Sequence, residues 1–283
     1  MLDPRLLRAF AAIADAGSFT LAAERLNMTQ STISQQLARL EEAVGQALID
    51  RTARPIKSTA AGERLLGYAR RILALQQEAE SALGDPAGTA SIRIGVPEDI
   101  VTSEMAKVFR EFALSHREIH LDVTAGLSRD LTRRYRSGEF DIVIVKESMA
   151  APDCRASFPE AIAWFESANA PEEWPNPIPL IAFPPGGLYR EAMFERIERE
   201  QLRWYIAFSG SSLHNVAVAV EAGLGLSLLP RSAVPGYRVR PYALFPAEPS
   251  MAVSIYSWEN AGPVSELVER MKSTLAARCS AVA

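Results

Sequence analysis

The stretch SFTLAAERLNMTQSTISQQLARLEEAV, residues 18–44, decides the fold. Leu21, Ala22, Ala23 and Leu26 recur at helical spacing, and Asn27-Met28 interrupts them. Thr29 follows at a helix N-cap position, where its hydroxyl can accept from the first free amides of a second helix. In that helix Ile33, Leu37, Leu40 and Val44 fall on one stripe and predict the buried face. The opposite side carries Gln30, Ser31, Ser34 and Gln35, short amides and hydroxyls. Two short helices joined by a tight turn, the second presenting such a face, suit the major groove of a DNA duplex.

The flanking sequence extends this pattern. Asp3-Pro4 opens an earlier helix, proline standing where its missing N–H costs nothing, and Gly17 stops it. After Gly45, ALIDRTARPIKST reads as a short strand, a basic loop and a return strand, a wing that can lie along the duplex backbone. From Thr59 to Leu83 the spacing predicts one long helix. Leu65, Ala69, Ile72, Gln76, Ala79 and Leu83 form a seam of coiled-coil type, widened by Leu66 and Leu73, and a second copy of the helix could cover it.

GDPAGTAS, residues 84–91, is a linker, and beyond it strands and helices alternate. IRIGV, IHLDVTAG and FDIVIV are strands, with helices starting at Thr102 or Ser103 and at Ser128, which implies a parallel sheet with right-handed crossovers. Residues 150–177 are rich in Pro and Ala and carry no clear element signal. A second run begins at PIPLIAF and continues through WYIAF, SSLHNVAVAVEAG, LGLSLLP and SMAVSIYSW to a last helix after Gly262-Pro263.

Length and composition set the class. A chain of 283 residues with 48% hydrophobic and 23% charged residues is too long for one core and reads as two or three globular domains. No apolar run approaches the roughly 20 residues needed to cross a bilayer, and the N-terminal MLDPRLLRAF lacks a signal-type apolar core, so a cytoplasmic location is expected. The net charge of −4 does not announce a nucleic-acid binder, but Arg51, Arg54 and Lys57 cluster without an intervening acid. Such a small set of phosphate contacts calls for more than one copy of the domain per site. Cys154 and Cys279 are expected to be free thiols, and His116, His120 and His214 have no metal-type spacing, so neither metal nor cofactor is expected. Ser209-Gly210-Ser211-Ser212 lacks the strand-turn-helix elbow of a serine hydrolase, and FPPGG lacks the ending of a phosphate loop. A small-molecule-binding protein or enzyme with no DNA role is the competing class, and the N-terminal block argues against it.

Over essentially its whole length the chain resembles the LysR-type transcriptional regulators. The resemblance is carried by LLRAFAAIADAGSFTLAAERLNMTQSTISQQLARLEEAVGQALIDR, STAAGERLL, IRIGV, GEFDIVIV and EAGLGLSLLP, whereas 146–177 is shorter than usual for that family. It implies an α/β chain: an N-terminal winged helix-turn-helix plus long linker helix, then a two-lobed periplasmic-binding-protein-like α/β effector domain. The boundaries expected are 1–58 for the DNA-binding domain, 59–84 for a dimerisation helix and 91–283 for the effector domain. Within the last, lobe I would comprise 91–163 and 257–283, and lobe II 164–256. The resemblance also implies a homodimer, usually a homotetramer, on promoter DNA, with a small molecule in the cleft between lobes.

On the DNA side the candidates are Gln30, Ser31, Thr32, Ser34, Gln35 and Arg39, with Arg51, Arg54 and Lys57 for phosphate. Gln35 stands where many relatives have arginine, which shifts the expected base from guanine toward adenine. For the effector, the resemblance points to Glu98, Asp99, Thr102, Ser128, Phe208, Ser209 and Ser211. Helix N-termini at Thr102, Ser128 and Ser211 favour an anion, but Glu98 and Asp99 would repel a carboxylate. The expected effector is therefore a neutral polyol or an amine-bearing molecule.

Overall fold

The structure is a computed structural model that describes residues 2–84 and 90–280. It divides into two compact units, Met1–Ser91 with Arg133–Phe140, and Ile92–Thr132 with Asp141–Ala283.

The first unit opens with three helices, α1 (Pro4–Ala16), α2 (Phe19–Arg25) and α3 (Gln30–Val44). Each begins at a side-chain cap: Asp3 accepts from the Arg5 amide, Ser18 from Leu21 and Thr29 from Thr32. Such caps satisfy amides that have no partner within their own helix. Asn27 makes the turn between α2 and α3 at φ 52°, a left-handed conformation that a short polar side chain tolerates. The Met28 amide then bonds back to the Ala23 carbonyl at 2.9 Å. Leu7, Phe10, Ile13, Ile33, Leu37 and Leu40 are fully buried among the three helices. Burying each such side chain is worth about 1.5–3 kcal/mol, which outweighs the weak propensities of Thr, Ser and Asn nearby.

The wing is a two-stranded ribbon, β1 (Ile49–Asp50) and β2 (Lys57–Ser58), followed by α4 (Ala60–Gly84). The expected seam of α4 is only partly open. Leu66 and Ala69 are buried in the winged-helix core, with Leu65, Ile72 and Leu73 packed against it, because α1 lies along this half of the helix. Tyr68 and Leu75 remain exposed. The side chain of Leu83 lies outside the described residues.

The second unit has two lobes. Lobe I contains β3 (Ala90–Val96), α5 (Ser103–Ser115), β4 (Ile119–Ala125), α6 (Ser128–Arg136), β5 (Ile142–Glu147), β6 (Ala156–Glu160), β12 (Met251–Ser257) and α9 (Gly262–Ser280), with the first two residues of β3 and the last four of α6 grouped with the first unit. Its sheet has the order β4-β3-β5-β12-β6. β3 and β5 run parallel, and β12 is antiparallel to both of its neighbours. Ile142–Val145 are buried, as a central strand covered on both faces requires. The packing of α9 against α5, β6 and β12 completes the core around Phe112, Val253, Ile255 and Leu267.

Lobe II is built from β7 (Ile162–Ser167), β8 (Ile178–Ala182), α7 (Leu188–Arg199), β9 (Trp204–Ser209), α8 (Leu213–Glu221), β10 (Ser227–Pro230) and β11 (Val239–Pro241). β10-β7-β11 form one antiparallel sheet, and β8 and β9 a parallel pair. A bridge from Leu180 to Leu226 links β8 to the run entering β10.

Two expected boundaries need correction. Residues 251–256, expected in lobe II, are nearly all of β12, which sits between β5 and β6 in lobe I. Residues 162–163, expected in lobe I, start the lobe II strand β7. The chain therefore crosses at Ala161 and again before Met251. The alternation in SMAVSIYSW suits either sheet, so nothing local distinguishes them. The two long-range ladders on its flanks decide where it goes.

Candidate functional site

The helix-turn-helix surface is built from α3. Gln30, Ser31, Gln35 and Arg39 are exposed, Thr32 and Ser34 half-buried, and the intervening Ile33 and Leu37 anchor the helix from behind. Thr32 is committed to the helix start, since its amide and hydroxyl both meet Thr29 Oγ1, at 3.2 and 2.8 Å. Ser31 Oγ lies 2.9 Å from the same oxygen. Gln30, Ser34 and Gln35 thus carry the freer polar groups of this face.

One carboxylate ties α3 to the wing. Glu41 accepts from the Leu48 and Ile49 amides at 2.9 and 3.3 Å and from Arg51 at 3.0 Å. Arg54 spends one nitrogen on the carbonyls of Arg51 and Ala53, while Lys57 is exposed on β2. Glu41 was not among the sequence candidates, because a helical glutamate ordinarily points to solvent.

In the second unit a cavity of about 770 Å³ lies between the lobes. Lobe I lines it from the end of β3 (Pro97–Asp99), the β4–α6 turn (Ala125–Arg129 and Thr132) and the end of β5 (Lys146–Ser148). Lobe II contributes Phe183, Gly186–Tyr189, Glu191, Ser211 and Leu213. Of the seven expected effector residues, Glu98, Asp99, Ser128 and Ser211 line this cavity. Thr102 lies off it and caps α5 through a bond from the Met105 amide. Phe208 turns into the lobe II core, and Ser209 is exposed on β9. Ser128 begins α6, but its hydroxyl accepts from the Lys146 amide at 2.8 Å, tying that helix to β5.

Asp99 is not a bare negative charge. It accepts from Lys146 Nζ at 2.5 Å and from Arg278 Nη2 at 2.8 Å. Glu160 lies opposite, 2.9 Å from Lys146 Nζ and 3.3 Å from Arg278 Nη2. Two carboxylates and two cations, each shared by both partners, make a nearly dry neutral quartet. Burial alone pushes the Asp99 carboxyl upward in pKa, yet the two cations more than offset it and hold the group below its ordinary value. The expectation that Asp99 repels an anionic ligand is therefore corrected: its charge is matched where it stands.

Other acids on the wall are less committed. The side chains of Glu98 and Glu191 are exposed and, among the described residues, make no hydrogen bond or ion pair, and Glu147 accepts from Tyr256 at 2.6 Å. Arg129 is the exposed cation on this wall, close to the Gly186 turn. Sequence reasoning missed Lys146, Tyr189, Glu160 and Arg278. The one local signal was Lys146, a lone charge at the end of the apolar run FDIVIV.

Two family models match the chain: the lysR family of bacterial regulatory helix-turn-helix proteins over residues 4–63, and the LysR substrate binding domain over 87–280. The transcriptional regulator DgdR of Burkholderia cepacia is 30% identical over 238 residues, which span 83% of this chain and 80% of that protein. Full-length LysG from Corynebacterium glutamicum, solved with bound effector Arg, shares the fold with a TM-score of 0.62 at 20% identity, over 97% of this chain and 98% of that one. ArgP from Mycobacterium tuberculosis gives 0.60 at 24% identity, over 99% and 98%. The polar face of α3 beside a wing, the two-lobed unit with its cleft and these matches agree: the chain belongs to the LysR family of DNA-binding transcriptional regulators, with an N-terminal helix-turn-helix domain and a C-terminal effector-binding domain.

Proposed function

We propose that this regulator reads promoter DNA with Gln30, Ser31, Ser34 and Gln35 of α3. Thr32 and Arg39 flank the contact, and Arg51, Arg54 and Lys57 of the wing region hold phosphates. The observation that carries this reading is the exposed amide-and-hydroxyl face of α3, fixed from behind by fully buried Ile33, Leu37 and Leu40. Asn or Gln amides pair with the N6 and N7 edge of adenine, while cations near the backbone add affinity without sequence preference. The chain acts as a dimer through α4, whose exposed Tyr68 and Leu75 support a second copy there, and as a tetramer on longer sites. Ser34→Ala and Gln35→Ala are each expected to cost about 1–3 kcal/mol on the cognate operator and far less on random duplex. Equal losses on both, measured by fluorescence anisotropy at fixed salt, would defeat base readout.

The cleft takes a small-molecule effector, and its chemistry is that of an amine-bearing or polyhydroxylic molecule. Support comes from Glu98, Glu191 and Glu147 around the wall, against the single exposed cation Arg129. The effector shifts the population between two lobe arrangements, and so the spacing and bending of bound DNA. We assign the chain no catalytic role. Tight calorimetric binding of a dianionic acid, unchanged by Glu98→Ala, is the result that removes this effector class.

A further inference from the structure

We propose that Tyr189 is a latch between the two lobes: its phenol plugs into the charge quartet of lobe I and sets how far the cleft opens. Asp99, Lys146, Glu160 and Arg278 all belong to lobe I, so the quartet stays closed and neutral whatever lobe II does. Lobe II reaches into it with two uncharged groups. Tyr189 Oη accepts from Lys146 Nζ at 2.7 Å and donates to Glu160 at 2.7 Å. Ser232, just after β10, accepts from Arg278 Nη2 at 3.0 Å and lies 3.4 Å from Glu160.

The tyrosine is well placed to transmit motion. Its ring is buried in the lobe II core with Phe183, centroids 5.4 Å apart, so it moves with that lobe as one body. Its hydroxyl meets Glu160 at the end of β6, one residue before the chain crosses into lobe II. Separating the lobes breaks both phenol bonds at once and exposes a nearly dry carboxylate and ammonium to water. Hydrogen bonds to charged groups keep a net advantage over the water bonds that replace them, so losing both at once favours the latched state when the cleft is empty. Tyr189, Lys146 and Asp99 also line the cavity. A ligand hydroxyl entering there can accept from Lys146 and donate to Glu160 in place of the phenol, so occupancy and lobe angle share the same atoms. This inference rests on the fold of the second unit and not on the reading of DNA or of the effector's identity.

The test uses the full-length chain with nitroxide labels at Ser273→Cys on α9 and Glu198→Cys on α7, both exposed positions, in a Cys154→Ser, Cys279→Ser background. Labelled protein is diluted into unlabelled chain so that only distances within one copy are read by pulsed electron resonance. Tyr189→Phe keeps the ring and removes both bonds. It should lengthen or broaden the inter-lobe distance by about 2 Å or more, the scale of a genuine lobe rearrangement. Ser232→Ala should give a smaller shift of the same kind. Ser254→Ala, whose hydroxyl partner Ser157 lies in the same lobe I sheet, should give none. A Tyr189→Phe distribution superimposable on the parent overturns the latch. Should that variant lose its fold by circular dichroism, Ser232→Ala decides by the same criterion, and an unmoved distribution overturns the proposal.

Discussion

Gly62, in the first turn of α4, offers a case where two effects of known size oppose each other. Helix propensity alone favours Gly62→Ala by up to about 1 kcal/mol, because glycine loses more backbone freedom on folding. The structure reverses that sign. A Cβ at Gly62 would stand 2.0 Å from the Leu48 carbonyl oxygen and 3.0 Å from its carbon. Ordinary C···O contacts begin near 3.3 Å, so the helix and the approach to β1 must separate by roughly 1 Å. The carbonyl cannot simply swing away, since it accepts from the Thr59 amide at 2.9 Å, and Thr59 Oγ1 in turn bonds the Ala47 carbonyl and the Gly62 amide. Overpacking of this kind costs about 1–3 kcal/mol, and a weakened hydrogen bond adds about 0.5–1.5. The net expectation is a winged-helix unit destabilised by about 0.5–3.5 kcal/mol. The assay is hydrogen exchange across a urea series, read separately on peptides of α1–α3 and of the second unit, because a chain of two units need not unfold in one step. The winged-helix midpoint should fall while that of the second unit stays. An alanine variant as stable as the parent, with unchanged exchange in the wing, would refute the steric argument and leave propensity in charge.

Three further outcomes follow from named contacts. Glu41→Ala removes the acceptor of the Leu48 and Ile49 amides and frees Arg51, so the winged-helix unit should lose about 1–3 kcal/mol in urea titrations. Gly225→Ala puts a Cβ 2.5 Å from the Pro179 carbonyl, between strands joined by the Leu226 amide on that oxygen. Lobe II should lose about 1–3 kcal/mol, seen as faster exchange in β8 and β10. Asp99 and Glu248 are both buried, which pushes them up in pKa, but Lys146 and Arg278 in one case, and Arg196 and Trp164 in the other, bring them below their ordinary values. A depressed carboxylate stabilises the fold fully above its unfolded pKa of about 4 and loses that contribution as pH falls through the folded value. The urea midpoint of the second unit should therefore hold from pH 6 to 5 and drop below about 4, with a smaller drop in Glu248→Gln. A midpoint flat to pH 3 would contradict this.

Much of the first unit was legible because its signals are local. The helix start at Asp3-Pro4, the cap at Thr29, the stripe of Ile33, Leu37 and Leu40, and the stop at Gly45 each lie within a few residues of what they determine. The lobe I strands before Lys146 were legible for the same reason. The placement of β12 was not, because its pairing with β5 and β6 joins residues about a hundred apart. Nor was the covering of Leu66 and Ala69 by α1, which converts half of an apparent coiled-coil seam into core. In the cleft, Glu98, Asp99, Ser128 and Ser211 were reached through the family resemblance, and all four line the cavity. Lys146, Tyr189 and Arg278 matter only through one another.

The electrostatics of the cleft turn on that last point. Counted from sequence, Glu98 and Asp99 form an acidic pair that any anion should avoid. Counted in the structure, Asp99 is cancelled by Lys146 and Arg278, and Glu160 balances the second cation, so the floor is neutral and strongly hydrogen-bonded. The field that a ligand meets comes instead from the wall, where Glu98, Glu147 and Glu191 outnumber Arg129. These groups are partly or fully exposed, so salt screens their pull, and they select among ligands more than they bind them. Affinity must come from the floor and from apolar contact with Phe183, Leu188 and Leu213, which remove the ligand from water. Under the proposed effector class, an amine or hydroxyl end suits the acidic wall and a compact apolar body suits Phe183, Leu188 and Leu213. For a dicarboxylate the same proposal leaves Arg129 as the exposed cation of the lining, since Lys146 and Arg278 are already paired with Asp99 and Glu160.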